Sequence, residues 1–84
     1  MVNYPNPFKS ETNFRFVLTT NQRVTLNVYD MYGREVAVLA KDKLLHAGEH
    51  NIPFSSIGLS SGMYIYRLQI ANGHFESGNM LIVK

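Results

Sequence analysis

Ala47-Gly48-Glu49-His50-Asn51-Ile52-Pro53-Phe54, then Ser55 to Ser61, then Gly62-Met63-Tyr64-Ile65-Tyr66-Arg67-Leu68: two runs of β-formers flank a segment dense in Ser and Gly. His50, Ile52 and Phe54 recur at period two, and so do Tyr64, Tyr66, Leu68 and Ile70. That period puts alternate side chains on one face of a strand. Leu59, in the middle of the linker, predicts a crossing over the end of a core with one apolar residue tucked beneath it. A β-sandwich passes from one sheet to the other in this way.

The remaining strands are read against these two. Asn3-Tyr4-Pro5-Asn6-Pro7-Phe8 carries two X-Pro steps, which favour extended backbone and remove two donors. It predicts an irregular edge strand or a polyproline-like arm, anchored by Tyr4 or Phe8. Thr12 to Thr19 reads as a strand with Phe14, Phe16 and Leu18 inward and Asn13, Arg15 and Thr19 outward. After a turn at Thr20-Asn21-Gln22, Arg23 to Asp30 is a second strand with Val24, Leu26 and Val28 inward. Asp30-Met31-Tyr32-Gly33 suits a short hairpin loop with a bulge, because Asp caps turns and Gly accepts a left-handed backbone. A bulged strand from Arg34 to about Ala40 follows, then exposed Lys41-Asp42-Lys43. Leu44-Leu45-His46 fits either a turn or the start of the next strand. Asn72-Gly73 predicts a type I′ turn joining Gly62–Ala71 to His74–Val83. Gly78 predicts a bulge that would shift the inward phase of the last strand.

The chain has 84 residues, which bounds it to a single domain spanning 1–84. It has no Cys, which excludes a disulfide staple, a thiolate metal site and a Cys nucleophile. The net charge is +2 and scattered, with no Lys/Arg run of the kind that binds nucleic acid or an anionic membrane. The longest apolar run, Met80 to Val83, is too short for a transmembrane span. Met1-Val2-Asn3-Tyr4-Pro5 lacks the basic start and apolar stretch of an export leader. No segment repeats apolar residues at helical spacing, so the class is all-β.

Chemistry-bearing patterns are sparse. His46, His50 and His74 lie outside metal-ligand spacings, and His50 shares the phase of Ile52 and Phe54, as a half-buried core histidine would. The acidic residues do not form a calcium loop. Ser55, Ser56, Ser60 and Ser61 lack the Gly-flanked context of a nucleophile elbow, and no phosphate-binding glycine loop is present. Tyr64 and Tyr66 would make a sugar-stacking platform only if they faced outward, and their phase puts them inside. Leu59-Ser60-Ser61-Gly62-Met63-Tyr64 points to a tyrosine corner, one residue shorter than in fibronectin-type modules. The expectation is an immunoglobulin-like β-sandwich of about seven antiparallel strands, with no active site, cofactor, metal or small-molecule substrate.

The ordered set of Asn3-Tyr4-Pro5-Asn6-Pro7-Phe8, Thr12-x-Phe14-x-Phe16-x-Leu18, Val28-Tyr29-Asp30-x-x-Gly33, Ala47-Gly48-x-His50, Leu59-x-Ser61-Gly62-x-Tyr64-x-Tyr66-x-Leu68 and an apolar strand ending at Val83-Lys84 resembles a known family. It is similar to the type A C-terminal sorting domain of the type IX (Por) secretion system of Bacteroidetes and related bacteria, over essentially the whole chain. The pattern is also similar to the immunoglobulin-like module of the flagellar hook-capping protein. The sorting-domain resemblance implies an address rather than an enzyme. It implies a passenger, with its own export signal, preceding Asn3, and delivery through the outer membrane to the cell surface or the medium. It implies as partners an outer-membrane shuttle, the translocon and a sortase-like peptidase. Cleavage at or before Met1 would follow, with anchoring of the passenger on an anionic lipopolysaccharide, and Met1 would then not be the native start. Asn3, Pro5, Pro7, Phe8, Gly33, Gly48, Gly62 and Tyr64 carry the family pattern, mainly in structural roles.

Within that reading, Met80, Leu81, Ile82, Val83 and Lys84 form the expected recognition strand. The segment ends the chain, is apolar on both faces and closes on one cation. An edge strand offers a partner its backbone for affinity and alternate side chains for specificity. The other reading is that Met80 to Val83 simply complete the core. An exposed terminal strand would also let two copies pair weakly edge to edge. The alternative function is an accessory carbohydrate-binding module of a secreted hydrolase, which a row of outward aromatics would favour.

Overall fold

The computed structural model describes residues 1–71 and 73–84. Its strands are β1 (Val2–Tyr4), β2 (Glu11–Leu18), β3 (Gln22–Tyr29), β4 (Glu35–Leu45), β5 (Gly48–Ser55), β6 (Gly62–Ile70) and β7 (Phe75–Ile82). They form a three-stranded sheet, β1-β2-β5, and a four-stranded sheet, β4-β3-β6-β7, with antiparallel neighbours throughout. The chain changes sheets after β2, β4 and β5, so the Ser55–Ser61 linker does carry it from one layer to the other. Leu59 is half-buried against the core, as expected.

The inward rows meet as their period-two spacing dictates. Phe14, Phe16 and Leu18 of β2 face Val24, Leu26 and Val28 of β3 and Tyr64, Tyr66 and Leu68 of β6, all buried. An aromatic chain ties the layers together. The Phe14 ring meets Tyr66 edge-on at 5.1 Å, Phe54 lies 6.0 Å from Phe14, and Phe8 lies 6.2 Å from Phe54. Rings at these separations and tilts attract beyond the area they bury.

Two sequence expectations are corrected. Strand β4 does not stop near Ala40 but runs on to Leu45, taking in the polar Lys41-Asp42-Lys43 and Leu44-Leu45. It holds β3 through several register shifts, with Asp42 at φ 46° and its amide bonded to Thr25 Oγ1 at 3.0 Å. Gly78 is no bulge: β6 and β7 pair in unbroken register, with Gly78 opposite Tyr66. The inward row is therefore Glu76, Gly78, Met80 and Ile82, and Phe75 points out beneath the Arg67 guanidinium at 4.6 Å.

The type I′ turn expected at Asn72-Gly73 of the β6–β7 hairpin involves Asn72, which lies outside the described residues. The register around it is wider than a two-residue turn: Ile70 N–H donates to His74 C=O, and Gly73 N–H donates to Ile70 C=O. The β3–β4 hairpin closes identically, with Asp30 N–H on Arg34 C=O and Gly33 N–H on Asp30 C=O. Gly33 and Gly73 occupy matching places at φ 82° and 94°, a backbone region open to Gly at little cost.

The molecule measures 37 × 23 × 17 Å. Met1 lies at one end, against Leu18, Ile70 and Glu76. Lys84 lies at the other, where its N–H donates to Ser61 Oγ at 3.0 Å and its ammonium donates to the carbonyls of Ser56 and Leu59.

Candidate recognition surface

The family-pattern residues sort into three devices. The first is the tyrosine corner. Gly62 opens β6, Tyr64 follows two residues later, and its hydroxyl donates back to Ser60 C=O at 2.8 Å. This pins the linker to the strand it feeds. The second is the hairpin cap at Asp30 and Gly33. Asp30 accepts from the N–H groups of Tyr32 and Arg34 at 2.9 and 3.0 Å and from Arg34 Nε at 2.7 Å. Partial burial pushes the Asp30 carboxyl pKa up, but the Arg34 and Tyr32 hydrogen bonds and the Arg34 charge together leave it below the usual value. Gly48 opens β5 beside them in the sequence pattern but on the other sheet.

The third device is the N-terminal arm. Of its two candidate anchors, Phe8 is the one buried, while Tyr4 is 75% exposed. Asn3 and Tyr4 pair with β2, and then, after cis bonds at Pro5 and Pro7, Phe8 bridges Ile82 in the opposite sheet. Thr12, fully buried, donates its hydroxyl to Pro5 C=O at 2.7 Å. Asn3 is buried, and its side-chain oxygen accepts from Asn6 at 3.4 Å.

The expected recognition strand divides between two roles. Met80 and Ile82 are core residues at 0% and 1% exposure, which meets the reading of Met80–Val83 as core for those two residues. Leu81 is half-buried and Val83 is 52% exposed, both on the outer face. Lys84 is tied by its ammonium to the linker. Across the outer face, register places Leu81 opposite Met63, and Ile65 opposite both Asn79 and Tyr29. Tyr29, Ile65, Met63, Leu81 and Val83, with Asn79 among them, thus form a mainly apolar end to a sheet face whose other end carries Thr25, Asn27, Arg67, Gln69 and Ser77 beside the exposed ring of Phe75. Rimmed apolar patches of this sort mark contact sites with other proteins.

The edge of this strand is covered rather than open. Phe8 N–H donates to Leu81 C=O at 3.0 Å, and Val83 N–H donates to Phe8 C=O at 2.9 Å. Asn6 Nδ2 donates to Asn79 C=O at 3.0 Å, and its Oδ1 accepts from Leu81 N–H at 3.0 Å. Asn6 lies inside the Asn3–Phe8 motif but is not among the eight residues read as carrying the family pattern. The signal was there: an Asn set between two prolines is a carboxamide where the backbone has lost its donors.

Among the described residues the arrangement holds no convergent polar set. Tyr64 and Tyr66 are buried, and His50 stacks on Phe16 at 5.5 Å with Nε2 2.7 Å from His46 C=O, so these three do not line an open hollow. Among the described residues no group of three or more His, Cys, Asp or Glu could hold a metal ion. The exposed rings of Tyr4, Tyr32 and Phe75 sit on β1, on the β3–β4 loop and on β7, and do not make a row.

The family model of the secretion system C-terminal sorting domain matches residues 2–84. No curated protein matches the chain.

Proposed function

Starting from the premise that this chain belongs to the family of secretion system C-terminal sorting domains, we propose that the outer face and edge of β7 at Leu81, Val83 and Lys84 are what the export machinery reads. Domains of the family are the C-terminal sorting signal of type IX secretion and mark proteins for export across the outer membrane, to the cell surface or the medium. The family is not one of enzymes, and its role implies contact with the secretion machinery. In our reading the specific partners are an outer-membrane shuttle, the translocon and a sortase-like peptidase that removes the domain and leaves the passenger anchored at the surface.

The observation that supports this reading is the apolar end of the outer sheet face, Tyr29-Ile65-Met63-Leu81-Val83, continuous with the last residues of the chain. The test uses a passenger fused ahead of the domain in a bacterium with the type IX machinery. Val83→Asp keeps the backbone bonds and places a charge on an exposed position. Delivery should fall at an unchanged melting temperature, whereas normal delivery would overturn the assignment. Removal of Leu81–Lys84 also takes out buried Ile82, so lost delivery in that variant counts only if the melt survives.

A further inference from the structure

The outward peptide groups of β7 alternate with those that pair to β6, and from Asn79 to Val83 the arm engages Asn79 C=O, both groups of Leu81 and Val83 N–H. Pro5 and Pro7 bring no N–H to this edge. The Asn6 carboxamide supplies one donor and one acceptor in the place of a peptide unit, and only Phe8 pairs through its own backbone. The two contacts differ in how firmly they are seated. Phe8 is 4% exposed in the core, whereas Asn6 is exposed and its two bonds to β7 are open to water. A strand edge whose groups face solvent templates pairing with another chain.

We propose that the Asn3–Phe8 arm is a surrogate strand that keeps the β7 edge closed, and that an extended segment of the export machinery takes this edge by displacing Asn6 while Phe8 stays seated. The proposal rests on the reading of the terminal strand as the recognised element and adds how access to it is controlled. The incoming strand satisfies the two groups that Asn6 releases, Asn79 C=O and Leu81 N–H, with ordinary peptide units, while Phe8 keeps Leu81 C=O and Val83 N–H, so the exchange leaves no donor or acceptor of this edge unpaired. A second copy of this chain pairing edge to edge needs the same displacement.

The experiment compares wild type with Asn6→Ala by amide hydrogen exchange on the domain and by passenger delivery in cells. Exchange at Leu81 should rise about tenfold or more, as expected for the loss of its outward acceptor on Asn6, while the inward amides of Met80 and Ile82 keep their protection. Passenger delivery should become faster. Unchanged exchange at Leu81, or raised exchange with delivery no faster, overturns the proposal. Self-association of Asn6→Ala by sedimentation without faster delivery likewise overturns it, since the edge then opens only to a second copy. Should Asn6→Ala fail to fold, Asn6→Ser, whose short side chain lacks the carboxamide that holds both Leu81 N–H and Asn79 C=O, takes its place with the same two readouts. Val83→Asp separates the layers of the argument: if it leaves delivery normal, the recognition reading itself fails. If it abolishes delivery while Asn6→Ala changes nothing, only the closed-edge proposal fails.

Discussion

Replacing Gly78 by Ala adds one methyl group to the core face of β7, directly opposite Tyr66. A Cβ there would stand 2.3 Å from the Tyr66 hydroxyl oxygen, 2.5 Å from Cζ and 2.9 Å from Cε2. Comfortable contact needs roughly 3.5–4.0 Å, so ring and strand must part by about 1 Å or more. The ring cannot simply swing away, being 8% exposed and held edge-on by Phe14 at 5.1 Å. Overpacking of this kind costs about 1–3 kcal/mol. Ala in place of a strand glycine returns about 0.5–1 kcal/mol. The expected net loss is about 1–2 kcal/mol, with each kcal/mol lowering the melting temperature by roughly 4–8 °C in a domain of this size. Thermal and urea melts read it directly. In a Tyr66→Leu background the phenolic ring is gone, so Gly78→Ala should become neutral or mildly stabilising. If the full penalty persists there, or if Gly78→Ala melts like wild type, the account of Gly78 as room for Tyr66 is wrong.

Other outcomes follow from the same contacts. Tyr64→Phe removes the bond to Ser60 and should cost about 0.5–1.5 kcal/mol in urea melts. Phe8→Ala empties the site packed against Phe54 and should cost about 3–5 kcal/mol, with an intact urea midpoint excluding Phe8 as the anchor of the arm. Asp30 has a folded pKa below its unfolded value of about 3.9. Its contribution is therefore complete above the unfolded value and is lost as pH falls through the folded one. Asp30→Asn should flatten the drop in melting temperature below about pH 4, and an unchanged acid slope would show that the cap does not titrate.

Much of the sandwich was legible because period-two rows need only local chemistry. Phe14-Phe16-Leu18 and Tyr64-Tyr66-Leu68 announced both strand and inward face. Tyr64 pointed to a tyrosine corner despite a spacing one residue shorter than in fibronectin-type modules, and its hydroxyl does close back on Ser60 C=O. The misreadings share one cause: a residue whose role is set by a partner far along the chain. Gly78 looked like a bulge because its reason, the Tyr66 ring, lies across the hairpin. Lys41-Asp42-Lys43 is exposed, as its charge predicts, yet belongs to β4 rather than following it, because an edge strand tolerates exposed charge. Met80 to Val83 read as a single apolar run, and only the burial of Met80 and Ile82 separates core from surface. The closed edge was hidden for the same reason, since Asn6 and Leu81 are 75 positions apart.

Met1 and Lys84 occupy opposite poles of a body 37 Å long. Cargo joined ahead of the domain therefore trails from the pole remote from the tip at Val83-Lys84. A passenger attached there stands clear of the surface that we propose the machinery reads.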